Sequence, residues 1–335
     1  MSWSHIRGHD DARRQLFSAF QRGRLAHAYL FVGPDGVGKK AFALELAKAL
    51  LCERPPAELT ACDHCPACAQ VMAGTHPDVT TARKPDDKQE FVIDVMRELC
   101  NQLGLKPARG TRKVAIIEDA DDFNEESANC FLKTLEEPPP GAVLILLATA
   151  TERQLPTILS RCQIVRFKAL SPSDLRAALA DHDITDATTV DRLTRIAGGS
   201  VGRAVALNDP ALWEFRQVLV SALGSTRPDT VGLARKFDKF VEEAGKESAA
   251  KRDRASLVIR LLTDILQTAL RQSLGADGPT TDSAEADKLR ALSSRDPDVI
   301  ADMLEACTEA DRHVERRVQL VLLIEQLADR LCRAA

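Results

Sequence analysis

The stretch HAYLFVGPDGVGKK, residues 27–40, decides the fold of this chain. Its first part, His27 to Val32, is a short apolar run of the kind that forms a buried strand. Its second part, Gly33-Pro34-Asp35-Gly36-Val37-Gly38-Lys39-Lys40, is a glycine-rich turn. Residues 39–51 follow with helical periodicity, apolar at Phe42, Leu46, Ala49 and Leu50. Strand, glycine turn and helix in this order make a phosphate-binding loop. Glycines let backbone N–H groups wrap an anion, and the helix N-terminus adds its positive end. Gly33, Gly36 and Gly38 are the loop glycines, and Lys39 is placed to reach β/γ-phosphates. The plain alternative is an ordinary strand-to-helix turn.

Outward from this stretch, residues 114–117, 143–148 (VLILLA) and 164–167 are further strand candidates. Helical stretches lie between them, around 94–103 and 124–135. Strands separated by helices predict an α/β domain with a parallel sheet covered on both faces. After Ser171-Pro172, an N-cap followed by proline at the first helical position, no strand-like run stands out. Residues 255–270 carry Val258, Leu261, Leu262, Ile265 and Ala269 on one helical face, and residues 314–331 read as another helix. Residues 273–284, rich in Gly, Asp, Ser and Thr, read as a loop. The expected division is an α/β domain over 1–167, a small helical lid over 168–207 and an all-helical domain over 208–335.

Composition narrows the function. Of 335 residues, 44% are hydrophobic but only 4% aromatic, so cores are built from Leu, Val, Ile and Ala. The net charge of −4 argues against a dedicated DNA-binding domain, which carries a basic excess to neutralise phosphates. No apolar run is long enough to span a membrane and residues 1–10 lack a signal-peptide core, so a soluble intracellular protein is expected.

The phosphate loop departs from an active one. Its last position calls for Ser or Thr, whose hydroxyl holds Mg²⁺; here it is Lys40, and an ammonium repels a cation. The acids that end the next strand, in KVAIIEDADDF (113–123), are Glu118 then Asp119, where a standard ATPase carries Asp then Glu. The plain reading of these acids is that they end a strand and face solvent. Two weakened motifs together predict a retained nucleotide fold with little hydrolysis of its own; whether ATP or ADP still binds stays open.

Nine cysteines are present, an odd number, and four cluster as Cys52, Cys62, Cys65 and Cys68. The spacing C-x9-C-x2-C-x2-C suits a tetrahedral Zn²⁺, and four thiolates leave no open position for catalytic water, so the expected zinc is structural. His64 is expected outside the ligand set. Glu53, Glu58 and Asp63 surround these cysteines, which argues against a zinc-dependent DNA-binding module. Arg161, in Ser160-Arg161-Cys162, ends a helical segment from about 155 and is placed to project from its own domain.

Together the motifs resemble the clamp-loader AAA+ subunits of bacterial DNA polymerase III. The resemblance rests on residues 27–40, the cysteine cluster (52–68), GTHPD (74–78), NCFLKTLEEPPP (129–140), LLATATERQLPTILSRCQ (146–163) and GGSVGRA (198–204). It covers most of residues 27–204; beyond that the likeness is helical character alone. It implies that Arg161 is an arginine finger acting in trans on an adjacent motor subunit. It also implies that Arg203 holds the lid's sensor-2 position, that Thr149 lies near sensor 1, and that the C-terminal helices join a pentameric collar. Implied partners are the gamma/tau motor and delta subunits, and through them the sliding clamp and primer–template DNA at cytoplasmic replication forks. The family's motor subunits keep GK[ST] and an Asp-Glu box, and their tau form carries a long extension. Lys40, Glu118-Asp119 and the 335-residue length predict the non-motor, stator type. A gamma/tau-type motor ATPase is the alternative, supported by Lys39, both acids and Arg203.

Overall fold

In the computed structural model, which describes residues 2–55, 59–85, 88, 90–225, 227–276 and 283–333, the chain divides into two units, Met1–Val205 and Ala206–Ala335. The first contains the sheet. Its elements run α1 (Asp10–Gln21), β1 (Ala28–Val32), α2 (Lys39–Leu51), α3 (Pro66–Met72), β2 (Val79–Ala82), α4 (Ile93–Gly104) and β3 (Lys113–Ile117). They continue α5 (Glu125–Glu136), β4 (Ala142–Ala148), α6 (Pro156–Leu159), β5 (Gln163–Arg166), α7 (Pro172–Asp181), α8 (Ala187–Ile196) and α9 (Val201–Ala206).

Among the described residues the sheet has five strands in the order β2-β3-β4-β1-β5, all paired in parallel. In register, β1 sets Ala28 opposite Leu144 and Leu30 opposite Ile164, so it lies between β4 and β5. Strand residues alternate between two cores. Tyr29, Phe31, Ile116, Ile145 and Val165 pack with Phe42 and Leu46 of α2; Leu30, Ala115, Ile117, Leu144 and Leu146 pack with Met96, Leu99 and Phe131 of α4 and α5. The sheet is therefore covered on both faces, as the apolar runs predict. Removing Phe42 or Phe131 to alanine would cost about 3–5 kcal/mol.

Local chemistry fixes the ends. Asn124 accepts from Ser127 N at 2.9 Å while Ser127 Oγ accepts from Asn124 N at 3.1 Å, a reciprocal cap that starts α5. Ser171 caps α7 with Pro172 behind it. Several elements escape the sequence reading, β2 and α1 among them. Edge strand β2 (VTTA) has no apolar run, only Val79 and Ala82, because one side of it is half exposed. Helix α1 was not singled out either.

The second unit contains α10 (Pro210–Leu223), α11 (Thr230–Glu242), α12 (Ser248–Ser273), α13 (Ser283–Ser293), α14 (Pro297–Glu315) and α15 (Leu320–Arg333). No strand is found among its described residues. The face of α12 read from the sequence, Val258, Leu261, Leu262, Ile265 and Ala269, is buried. A buried ion pair, Arg216 Nη2 to Asp264 Oδ2 at 3.2 Å, ties α10 to α12.

The helix expected over 314–331 is two helices. Arg317 adopts φ +59°, its N–H bonds Val314 O at 3.0 Å, and Val318 N bonds His313 O at 3.0 Å. This closes α14 in the pattern that glycine usually supplies, with arginine in its place. Of the loop expected over 273–284, residues 277–282 lie outside the described residues, as does Glu58.

Candidate nucleotide pocket, cysteine cluster and arginine

The glycine loop leaves the carboxyl end of β1, where the chain switches direction across the sheet and ligands of open α/β sheets bind. A Cβ at Gly33 would lie 2.2 Å from Phe167 O, so no side chain fits beside the end of β5. Gly36 takes φ +70°, and Gly38 takes φ +105° as the N-cap of α2. Lys39 is 8% exposed. Its ammonium donates to Gly33 O and, at 2.8 Å, to Pro34 O, and Asp35 Oδ1 lies 3.6 Å away. Burial lowers its pKa, and Asp35 and Asp121 act in the opposite sense.

Lys40 points to the other side. Its ammonium is 2.7 Å from Glu118 Oε1, so the two residues expected around a magnesium ion bind each other. A divalent cation about 4 Å from that ammonium would be repelled by roughly 8 kcal/mol at an effective dielectric of about 20. The residues present do not fit Mg²⁺.

Asp119 follows in the left-handed region at φ +53°. Burial raises its carboxyl pKa, with Lys84 lowering it and Asp122 and Glu118 raising it further. Thr149 is held by Asp121, whose Oδ2 accepts from Thr149 N at 2.6 Å and Oγ1 at 2.7 Å; Asp121 Oδ1 accepts from Gln154 Nε2 at 2.8 Å. Asp121 therefore links Thr149 to the charge around Lys39. The sequence showed it only as one of several acids in EDADDF.

The glycine loop and the start of α2 border a cavity of about 630 Å³, whose lining does not include Glu118, Asp119, Asp121 or Thr149. Its walls include His5, Ile6, Arg7 and His9 on one side and Leu170 and Gly202 on another, with Lys39 and Lys40 between. His9 Nε2 lies 2.7 Å from Val37 O, and burial lowers the His9 pKa. The segment before α9 closes on the loop: Ser200 Oγ donates to Asp35 O at 2.8 Å and Gly202 N to Gly36 O at 3.0 Å. Arg203 is not among the lining residues; its guanidinium donates to Ala197 O at 3.3 Å. No spacing in the sequence signals His9; Ser200 lies within the GGSVGRA stretch, which gives no hint of its contact with Asp35.

The four expected cysteines come together. Their sulfurs all lie within 4.8 Å of one another, Cys65 to Cys68 at 3.4 Å and Cys62 to Cys68 at 4.0 Å. Ligands about 2.3 Å from a tetrahedral ion sit about 3.8 Å apart, so the cluster fits a metal ion. Backbone N–H groups point at the sulfurs, Cys62 N at Cys52 Sγ and Cys65 N at Cys62 Sγ, each 3.3 Å. The N–H of His64 leads in bringing the Cys62 thiol down to about 6, while burial pushes Cys52 and Cys68 up.

The knuckle is tied to the phosphate-loop helix. Lys48 of α2 lies 2.8 Å from Glu45 and 2.7 Å from Asp63. Burial opposes its charge, but Asp63 and Glu45 outweigh that and raise its pKa. Glu45, 1% exposed, also accepts from Ser2 Oγ and Trp3 N, and Trp3 Nε1 donates to Leu59 O at 3.0 Å.

Arg161 follows α6 with its side chain 32% exposed. Nη1 donates to Thr157 O at 2.9 Å and Ser160 Oγ at 3.0 Å, and Nη2 pairs with Glu136 at the end of α5. The arginine is thus restrained by residues of both NCFLKTLEEPPP and LLATATERQLPTILSRCQ.

The family model described as "DNA polymerase III, delta subunit" matches residues 8–171. The chain is 37% identical over 206 residues to DNA polymerase III subunit delta' of Pseudomonas aeruginosa, covering 60% of this chain and 62% of that protein. It is 33% identical over 217 residues to subunit delta' of Escherichia coli, covering 64% of each. Against subunit tau of Escherichia coli it is 35% identical over 259 residues, 74% of this chain and 39% of tau. The chain thus spans a little under two thirds of the delta' relatives. Among the described residues no helix is long and apolar enough to cross a membrane. Through these matches the chain is similar to subunits delta' and tau of DNA polymerase III, and residues 8–171 to the family model.

Proposed function

We propose that this protein is a stator of the clamp loader, which helps place the sliding clamp on primed DNA and hydrolyses little or no ATP itself. The observation that carries this is the Lys40–Glu118 pair, 2.7 Å apart, which replaces a cation-binding arrangement with an internal ion pair. In this reading Arg161 is an arginine finger for a neighbouring gamma/tau motor. A finger of this kind stabilises charge on the transferring phosphoryl group and is worth about 10³–10⁵ in rate. Residues 168–207 act as the lid and residues 208–335 as the collar that joins the motor and delta subunits in a pentamer. The cysteine cluster holds a structural zinc. The site of action is the cytoplasmic replication fork.

The test is ATP turnover by this chain alone, and by its motor partner with the chain added as wild type or Arg161→Ala. The stator reading expects no turnover alone and clamp- and DNA-stimulated turnover that falls when Arg161 is removed. Robust turnover alone would move the protein to the motor class, the second reading, which the buried Lys39 beside an open cavity supports. Hydrolysis appearing in Lys40→Thr would show that one residue separates the two states.

A further inference from the structure

We infer that Cys100 and Cys130 form a reversible dithiol, a modification site that a small-molecule disulfide such as oxidised glutathione closes into a bridge between α4 and α5. The inference concerns two thiols outside the cysteine cluster and is independent of the stator reading.

The two thiols meet where the helices pack. Cys100 lies on α4 and Cys130 on α5, at the edge of the core that covers one face of the sheet. Cys100 Sγ is 3.9 Å from Cys130 O, so it rests on the turn of α5 that carries the second cysteine. Thr134, one turn further on, donates its hydroxyl to the same sulfur at 3.4 Å. Two cysteines can be bridged only where their backbones run close. A sulfur in contact with its partner's own carbonyl sets these two backbones side by side. Burial raises the Cys100 pKa, and the neighbouring Cys130 thiol raises it further, against Thr134.

Access separates this pair from the other cysteines. Cys100 and Cys130 are both half-buried at the packing edge, whereas Cys307 and Cys332 are buried. Burial alone raises Cys162, to about 12. The sulfurs of the remaining four converge on one another, set for a metal ion.

The chemistry is thiol–disulfide exchange. Cys130 gives its proton to water and its sulfur attacks one sulfur of the small disulfide. A mixed disulfide forms on Cys130, and the first small thiolate leaves and takes up a proton. Cys100 holds its proton more tightly than a free thiol, which suits it to the second, intramolecular step. It loses that proton and attacks Cys130 Sγ, and the second small thiolate leaves. The two protein thiols have then lost two electrons and two protons, and the small disulfide has gained them as two thiols. In a compartment kept reducing, such a pair stays open and closes only when oxidant rises. The bridge lands on the helix whose last residue, Glu136, holds Arg161.

The experiment exposes the full chain, in zinc-containing buffer, to oxidised glutathione and blocks the remaining thiols with N-ethylmaleimide. Unreduced tryptic peptides are then mapped by mass spectrometry. Peptides joined through Cys100 and Cys130 are expected, and dithiothreitol should separate them. Cys100→Ser should hold Cys130 as the mixed disulfide with glutathione, because the second step has lost its nucleophile. Cys130→Ser should leave Cys100 open to maleimide. Three results on the unsubstituted chain would each overturn the inference: maleimide on both thiols, glutathione on each without a joined pair, or either cysteine joined to one of the cluster. These readings need no variant to fold. In Cys100→Ser that melts as the wild type does, Cys130 left free of glutathione would overturn it as well.

Discussion

Lys40 Nζ and Glu118 Oε1 lie 2.7 Å apart across the top of the sheet, one at the start of α2 and the other at the end of β3. Both stand at positions that an active ATPase uses to hold a cation, and here the two side chains neutralise each other. The departures at the two motifs meet in this one ion pair.

This pair is a matter of occupancy more than of stability. Lys40 is half exposed, and exposed ion pairs contribute about 0–1 kcal/mol. Glu118→Gln is expected to shift the unfolding free energy by less than about 1 kcal/mol in a urea titration. A loss above about 2 kcal/mol would mean the pair is structural.

Glu136 restrains Arg161 but does not replace it. With a motor partner present, Glu136→Ala should change stimulated ATP turnover by less than about threefold, whereas Arg161→Ala should lower it by at least about tenfold. Equal losses in both variants would show that the arginine acts only when docked on Glu136.

The cysteine cluster predicts a local response to metal removal. Chelation, or Cys65→Ser, should raise amide hydrogen exchange in residues 59–68 while the strands stay protected. Exchange spreading first to β5 would contradict a metal that supports only its own knuckle and its neighbours.

Gly33→Ala tests the close approach of the loop to β5. The added Cβ would meet Phe167 O at 2.2 Å, a backbone atom that cannot swing aside. A loss of about 1–3 kcal/mol is expected in denaturant unfolding, and no loss would mean that the two segments separate easily.

His9 sets a pH dependence. Its pKa is lowered from 6.5 by burial, so below pH 6.5 the unfolded chain binds a proton that the folded chain resists. The stability it contributes is complete above the unfolded value and is lost as pH falls from there toward the folded pKa. His76, lowered chiefly by burial, acts in the same direction. His9→Gln should flatten the fall in Tm between pH 7 and about 5.5 relative to wild type. An unchanged slope would place the effect elsewhere.

The sequence carried the elements whose signals are local. The apolar runs of β1, β3 and β4 are buried on both faces and so are continuous, and C-x2-C spacing fixes which sulfurs meet. What escaped depends on tertiary placement. Strand β2 is recognisable only through its pairing with β3, and the end of α14 rests on Arg317 taking a conformation for which the sequence offers no glycine. Asp121 became visible only when the fold set it against Thr149 and Gln154. The stretch around Ser200 was legible, but its contact with Asp35, 165 positions earlier, became visible only in the fold.

The buried Lys48 joins two carboxylates that arise far apart in the chain, Glu45 beside the phosphate loop and Asp63 within the knuckle. Glu45 in turn anchors Ser2 and Trp3. Ser2, Glu45, Lys48 and Asp63 are joined in one network, so a change of charge at one of the last three alters the balance at the others. A chain in which the whole knuckle, Asp63 included, were lost would keep an ammonium that is 4% exposed here beside one carboxylate. Knuckle loss should therefore be accompanied, in descendants of such a chain, by compensating replacements at 45 and 48, a covariation that would trace the disappearance of the metal even where no cysteine survives to mark it.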